Sequence, residues 1–168
     1  IAGTDHLDAA FEQLFRTSEG TSRIKIVKLA NICGSKVLDA QSKVVVESLF
    51  KVIIDAEASM ESRTTAARDA VSFQPESSEV LSAVLDIIRP QTGPDLATGL
   101  IEVAGLSTAV EAGELIIGSM QQMTPSMKAV AVRTLLSRQA TTTALLTAIE
   151  TGKIDLSDLT LDQKQALR

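Results

Sequence analysis

The chain has 168 residues, 22% charged and 45% apolar, with 16 Lys and Arg against 21 Asp and Glu, a balance that excludes disordered, collagen-like and membrane-spanning polypeptides. Aromatic residues make up only 2%, four Phe with no Tyr and no Trp, which removes the stacking platforms of single-stranded nucleic-acid binders. A single cysteine, Cys33, and a single histidine, His6, exclude an intramolecular disulfide and a zinc site of Cys and His ligands.

Helical periods separated by short punctuation run along the chain, with no sustained two-residue alternation. Residues 5–15 put Leu7, Ala10, Phe11, Leu14 and Phe15 on one stripe, closed by Gly20. Residues 23–33 turn Ile24, Val27 and Ile32 inward, with Gly34 after the helix as a left-handed stop. Over residues 38–54 the inward set is Val45, Leu49, Val52 and Ile53, while Lys43, Glu47 and Lys51 recur at i, i+4 and i+8 as alternating charges on a wet face. The β-branched runs at 44–46 and 52–54 look strand-like, but the segment is too long for a strand and contains no turn pair.

Residues 61–73 bury Ala66, Ala67, Ala70 and Val71 before Gln74-Pro75 breaks the helix. Ser77 or Ser78 caps the next, which carries Val80, Leu81, Val84, Leu85 and Ile88 and ends before Pro90. Gly93-Pro94-Asp95 opens a helix closed by Gly105, and Ser107 starts another that runs to Met120. Gly99, Gly113 and Gly118 weaken these two helices and read as points of close helix contact. Thr124-Pro125 opens residues 127–136, and residues 141–151 follow, stopped by Gly152-Lys153. Thr160 to Gln163 forms a T-x-x-Q capping box. Residues after Gly152 should either fold back through Ile154, Leu156, Leu159 and Leu167 or fray.

Paired helices thus begin near Arg23, Glu61, Pro94 and Pro125, at intervals of 38, 33 and 31 residues. Helix pairs recurring at this spacing are the mark of an α-solenoid, in which each pair stacks on its neighbours. The expected fold is all-α, a HEAT/armadillo-like superhelix of four helix pairs in a single domain over residues 1–168. The chain starts at Ile1 without a signal-peptide pattern and opens a new helix near Arg168, so it is expected to be a fragment of a longer protein.

The stretch Leu145-Leu146-Thr147-Ala148-Ile149-Glu150-Thr151-Gly152-Lys153-Ile154, then Asp158-Leu159, then residues 162–168 (DQKQALR), resembles a segment of large planctomycete multidomain proteins. In that family a HEAT-like helical region lies between a sugar-dehydrogenase-like propeller and a c-type haem domain. The close match covers the C-terminal stretch, and the helix-pair pattern extends it over the rest. The family's haem motif Cys-x-x-Cys-His is absent, because Cys33 is followed by Gly34 and no second cysteine exists. The resemblance implies flanking domains of the same parent chain as partners, and a periplasmic or other extracytoplasmic location.

No catalytic constellation emerges. His6 lacks a nucleophile or carboxylate at a telling spacing, and Cys33 on an apolar stripe reads as a small core residue. The i, i+3 carboxylates Glu111/Glu114 and Asp155/Asp158 share a surface, whereas glycosidase-type pairs face each other across a cleft. The glycines fit no phosphate-binding pattern. No enzyme activity, cofactor or metal is therefore assigned.

Charge is uneven. Six basic residues against Asp39 and Glu47 give +4 over residues 23–51, and Asp95, Glu102, Glu111 and Glu114 give −4 over residues 90–127. A net charge of −5 and the missing aromatics argue against nucleic acid as partner, and no membrane insertion is expected. The reading is a non-catalytic scaffold or interdomain spacer that binds protein through Lys43, Glu47, Lys51, Asp86, Glu111, Glu114 and Thr147. Its rivals are a closed helix-bundle enzyme or regulator with a ligand pocket, which would need convergent polar groups among the apolar stripes, and a nucleic-acid-binding helical repeat.

Overall fold

The computed structural model describes residues 2–19 and 21–166, and among these the chain is all-helical, with no strand. Its helices are α1 (Ala2–Thr17), α2 (Thr21–Ile32), α3 (Asp39–Ile54), α4 (Met60–Phe73), α5 (Ser78–Leu85), α6 (Pro94–Ala104), α7 (Ala112–Ser119), α8 (Pro125–Leu135), α9 (Gln139–Glu150) and α10 (Leu161–Ala166). Short 3-10 turns occupy Met120–Gln122 and Leu156–Asp158. Gly20, expected to stop the first helix, and Leu167, expected to fold back, lie outside the described residues.

The punctuation read from sequence acts as capping chemistry. Ser77 accepts a backbone N–H bond at the start of α5, and Thr124 does the same for α8 with Pro125 at the first helical position; Ser59, a cap the sequence reading did not name, does so for α4. At the ends of α2 and α9, Gly34 and Gly152 take φ +72 and +70. Around each, two bonds close the last turn: Gly34 N to Asn31 O (3.0 Å) with Ser35 N to Ala30 O (2.9 Å), and Gly152 N to Ile149 O (3.0 Å) with Lys153 N to Ala148 O (2.8 Å). An alanine in the left-handed region costs about 1 kcal/mol, so Gly152→Ala should lower the unfolding free energy by about that amount in a denaturant titration. No loss would mean that α9 ends by some other means.

Chain contacts divide the molecule into two units, Ile1–Lys51 and Val52–Arg168. In the first, α1 packs on α2 and the Arg23 guanidinium lies 5.0 Å above the Phe15 ring. Ser35 Oγ donates to Asp8 Oδ1 at 2.5 Å, and the side chains of Asn31 and Ser42 bond each other.

The stripes expected in this first unit need correction. Of the α1 stripe only Phe11 is buried, while Leu7, Ala10 and Leu14 are exposed. Ile32 is 73% exposed, and Cys33 is exposed as well, because both sit in the turn where α2 is being closed. In this unit Ser42 and Val46 of α3 are buried, after Leu38 just ahead of the helix, and Val45 and Leu49 are not; in the second unit Ile53 is buried as expected, while Val52 is exposed. A helix carrying β-branched residues on several sides leaves its inner face to be chosen by what packs on it.

The second unit is built in two rows. Helix α6 packs against α4 and α8, and α7 packs against α5 and α9, while α4–α5, α6–α7 and α8–α9 each pack as a consecutive pair. Small residues allow the close approach. A Cβ on Gly99 would lie 2.9 Å from Thr64 of α4, one on Gly105 2.5 Å from Thr134 of α8, and one on Gly113 2.5 Å from Ala144 of α9. Gly118 departs from the expectation, with nothing within 4 Å of its would-be Cβ. On these helices Ala67, Ala70, Leu81, Val84, Leu100, Ile101, Ile116, Leu135 and Leu145 are buried.

Six hydrogen bonds stitch successive pairs, each joining residues 31 to 34 positions apart: Ser78 to Glu111, Arg89 to Gln122, Ser107 to Pro75 O, Arg133 to Glu102, Arg138 to Ser107 O and Gln163 to Ala129 O. These separations match the 33- and 31-residue intervals counted from Glu61 to Pro94 to Pro125.

One such stitch corrects the expected start of α7. Ser107 Oγ donates to Pro75 O at 3.0 Å and Thr108 N donates to the same carbonyl at 2.7 Å, so residues 107–111 serve as a lateral tie and the helix begins only at Ala112. Helix α5 likewise closes at Leu85, and Ile88 is buried from the turn beyond it.

After Gly152 the chain folds back. Ile154 and Leu159 are buried, although Leu156 stays 52% exposed. The capping box forms in both directions, Thr160 N to Gln163 Oε1 (2.9 Å) and Gln163 N to Thr160 Oγ1 (3.3 Å). Gln163 Nε2 then donates to Ala129 O of α8 at 2.9 Å, which docks a helix too short to stand alone.

Candidate functional site

Two adjoining clefts run along the row of second helices. The larger, of about 590 Å³, lies between α7 and α9 and is walled by Glu114, Ile117, Gly118, Met120, Gln121 and Lys128 on one side and by Thr143, Ala144, Thr147, Ala148, Thr151, Lys153 and Ile154 on the other. The smaller, of about 250 Å³, lies between α5 and α7 and is lined by residues including Asp86, Arg89, Glu114, Gly118 and Gln122. Glu114 and Gly118 belong to both, so the two clefts adjoin along α7 as one groove, with open space where Gly118 lacks a side chain.

Helical spacing builds the walls. Thr143, Thr147 and Thr151 repeat every fourth residue along α9 and its cap, and each hydroxyl donates to a backbone oxygen of its own helix: Gln139 O at 3.0 Å, Thr143 O at 3.1 Å and Thr147 O at 2.8 Å. With their protons committed, these hydroxyls have lone pairs left to offer and act as acceptors. The floor is apolar, with Met120, Ala148 and Ile154 buried.

Of the residues expected to form an interaction surface, Asp86, Glu114 and Thr147 are brought to this groove. Glu111 is instead tied down, its Oε2 accepting from Ser78 Oγ at 2.5 Å. That bond, with its own backbone N–H, holds the Glu111 carboxyl below the usual glutamate range. A carboxylate with a depressed pKa stabilises the fold above its unfolded pKa of about 4.3, and that contribution is lost as pH falls through the folded value. Ser78→Ala should move the Glu111 titration upward, measurable by carboxyl-carbon NMR. An unchanged titration would show that the hydroxyl is not what holds it.

Lys43, Glu47 and Lys51 lie exposed along α3 in the first unit. They make no ion pair with one another, the two ion pairs among the described residues being Arg16–Glu12 and Arg133–Glu102.

Sequence reasoning missed Lys128, Lys153, Gln121 and Gly118. The threonine spacing at 143, 147 and 151 was the available signal. His6 is exposed. Asp155 accepts from Ser157 N at 2.7 Å, capping the 3-10 turn, and this bond keeps its carboxyl below the usual range, while the side chain of its expected partner Asp158 is outside those described. Among the described residues no group of three or more His, Cys, Asp or Glu converges as a metal site, and no helix is long and apolar enough to cross a membrane.

In comparisons with known proteins, no family model matches the chain, and no match was found among curated proteins or solved structures.

Proposed function

We propose that this chain is a non-catalytic module of stacked helix pairs that binds protein through the groove along α5, α7 and α9. The observation that supports it is the set of six lateral hydrogen bonds at 31 to 34 residues. Such bonds hold successive pairs in one register, so that side chains at equivalent positions of the second helices line a continuous surface. On this reading the second unit is a HEAT/armadillo-like superhelix, and the module works by geometry, offering a partner a preformed groove. The planctomycete resemblance names the partners to try first, a propeller and a haem domain of the same parent chain, and an extracytoplasmic setting.

A photo-crosslinking residue at Gln121, which is exposed on the groove rim, tests the reading in the parent protein. It should yield a discrete protein adduct that the same group at exposed Glu61 on α4 does not give. Adducts from Glu61 and none from Gln121 would refute it, as would haem or metal copurifying at one equivalent per chain.

A further inference from the structure

The groove is electrically asymmetric, and its asymmetry specifies what fits. Lys128 and Lys153 line the far cleft, and among the described residues neither ammonium has an ion-pair partner. At the other end stands Asp86, with Arg89 beside it but bonded to the neutral amide of Gln122, while Glu114 lines both clefts. Between the two ends lies Gly118, with open space where a side chain would be.

We propose that the groove binds an extended segment of a protein partner that sets one or two acidic side chains against Lys128 and Lys153 and small apolar residues over Gly118. This rests on the interaction reading above and adds the chemistry of the partner. Two cations beside an apolar floor reward a carboxylate carried on an apolar chain more than a free anion, because burial of the flanking residues strengthens the charge contact. The threonine oxygens of α9 accept the segment's backbone N–H groups. Asp86 repels further acids at the opposite end, and so fixes which end of the segment lies where.

Random peptides displayed on phage and selected on the whole chain supply the probe. Enriched peptides should carry acids next to small apolar residues. Their affinity should fall about tenfold or more on Lys128→Glu with Lys153→Glu, the loss expected when a charge-assisted contact becomes repulsive. Lysine in place of the peptide acids should restore binding to that double variant. Gly118→Gln should also weaken binding, Glu61→Lys should not, and circular dichroism checks that each variant is folded.

Enriched peptides without acids, no enrichment, or binding unmoved by the double variant would overturn the proposal. So would competition by millimolar acetate or inorganic phosphate, which would mark a simple anion site. A Gln121 adduct obtained despite any of these results would leave the interaction reading standing and remove only the acidic segment.

Discussion

Shortening Leu100 to alanine is expected to lower the unfolding free energy by about 3 kcal/mol, within the roughly 2–5 kcal/mol that truncation of buried leucines costs. Leu100 is fully buried on α6, the helix that packs against both α4 and α8, so the cavity opens where the row is held from two sides and neither neighbour can collapse into it alone. A denaturant titration should show the midpoint falling with an unchanged slope. Leu161→Ala, at a position 71% exposed, is the control and should shift stability by less than about 0.5 kcal/mol. Similar losses for the two would mean that α6 is not the middle of the row.

Gly113→Val is expected to cost about 2–3 kcal/mol, whereas Gly118→Ala should gain about 0.5–1 kcal/mol, although both glycines lie in α7. A Cβ at Gly113 meets Ala144 Cβ at 2.5 Å, and a methyl on a neighbouring helix cannot swing aside, so α7 must move off α9 and loosen the packing around it. At Gly118 nothing lies within 4 Å, so the alanine relieves the entropy of a helical glycine without a clash. Thermal melts of the two variants should therefore move in opposite directions. Shifts of the same sign would overturn the packing of α7 on α9. The contrast also separates stability from function, since the glycine that opens the groove is not one the fold requires.

Local signals were legible because their chemistry closes within a few residues. Thr124-Pro125, Gly152-Lys153 and the Thr160/Gln163 box need only their own turn, and each forms as read. Ser107 carried an equally good helix-start signal and did not act on it. Its hydroxyl accepts only from Ala109 N nearby and donates to Pro75 O, a carbonyl 32 residues away that local pattern cannot weigh. The groove escaped for the same reason. Lys128 lies on α8 and Lys153 follows the end of α9, and only the mutual packing of α7, α8 and α9 brings both to one cleft with Glu114.

By itself the sequence determined the helical class and most of the caps, because apolar periodicity and turn chemistry are short-range properties of the chain. Tertiary structure alone decided which face of α3 turns inward, where α7 begins, which glycines are contacts and which one is open space, and which charged side chains share a groove. Those choices depend on bonds and contacts between elements, about thirty positions apart along the second unit, and their energy exists only once the neighbouring helices are in place.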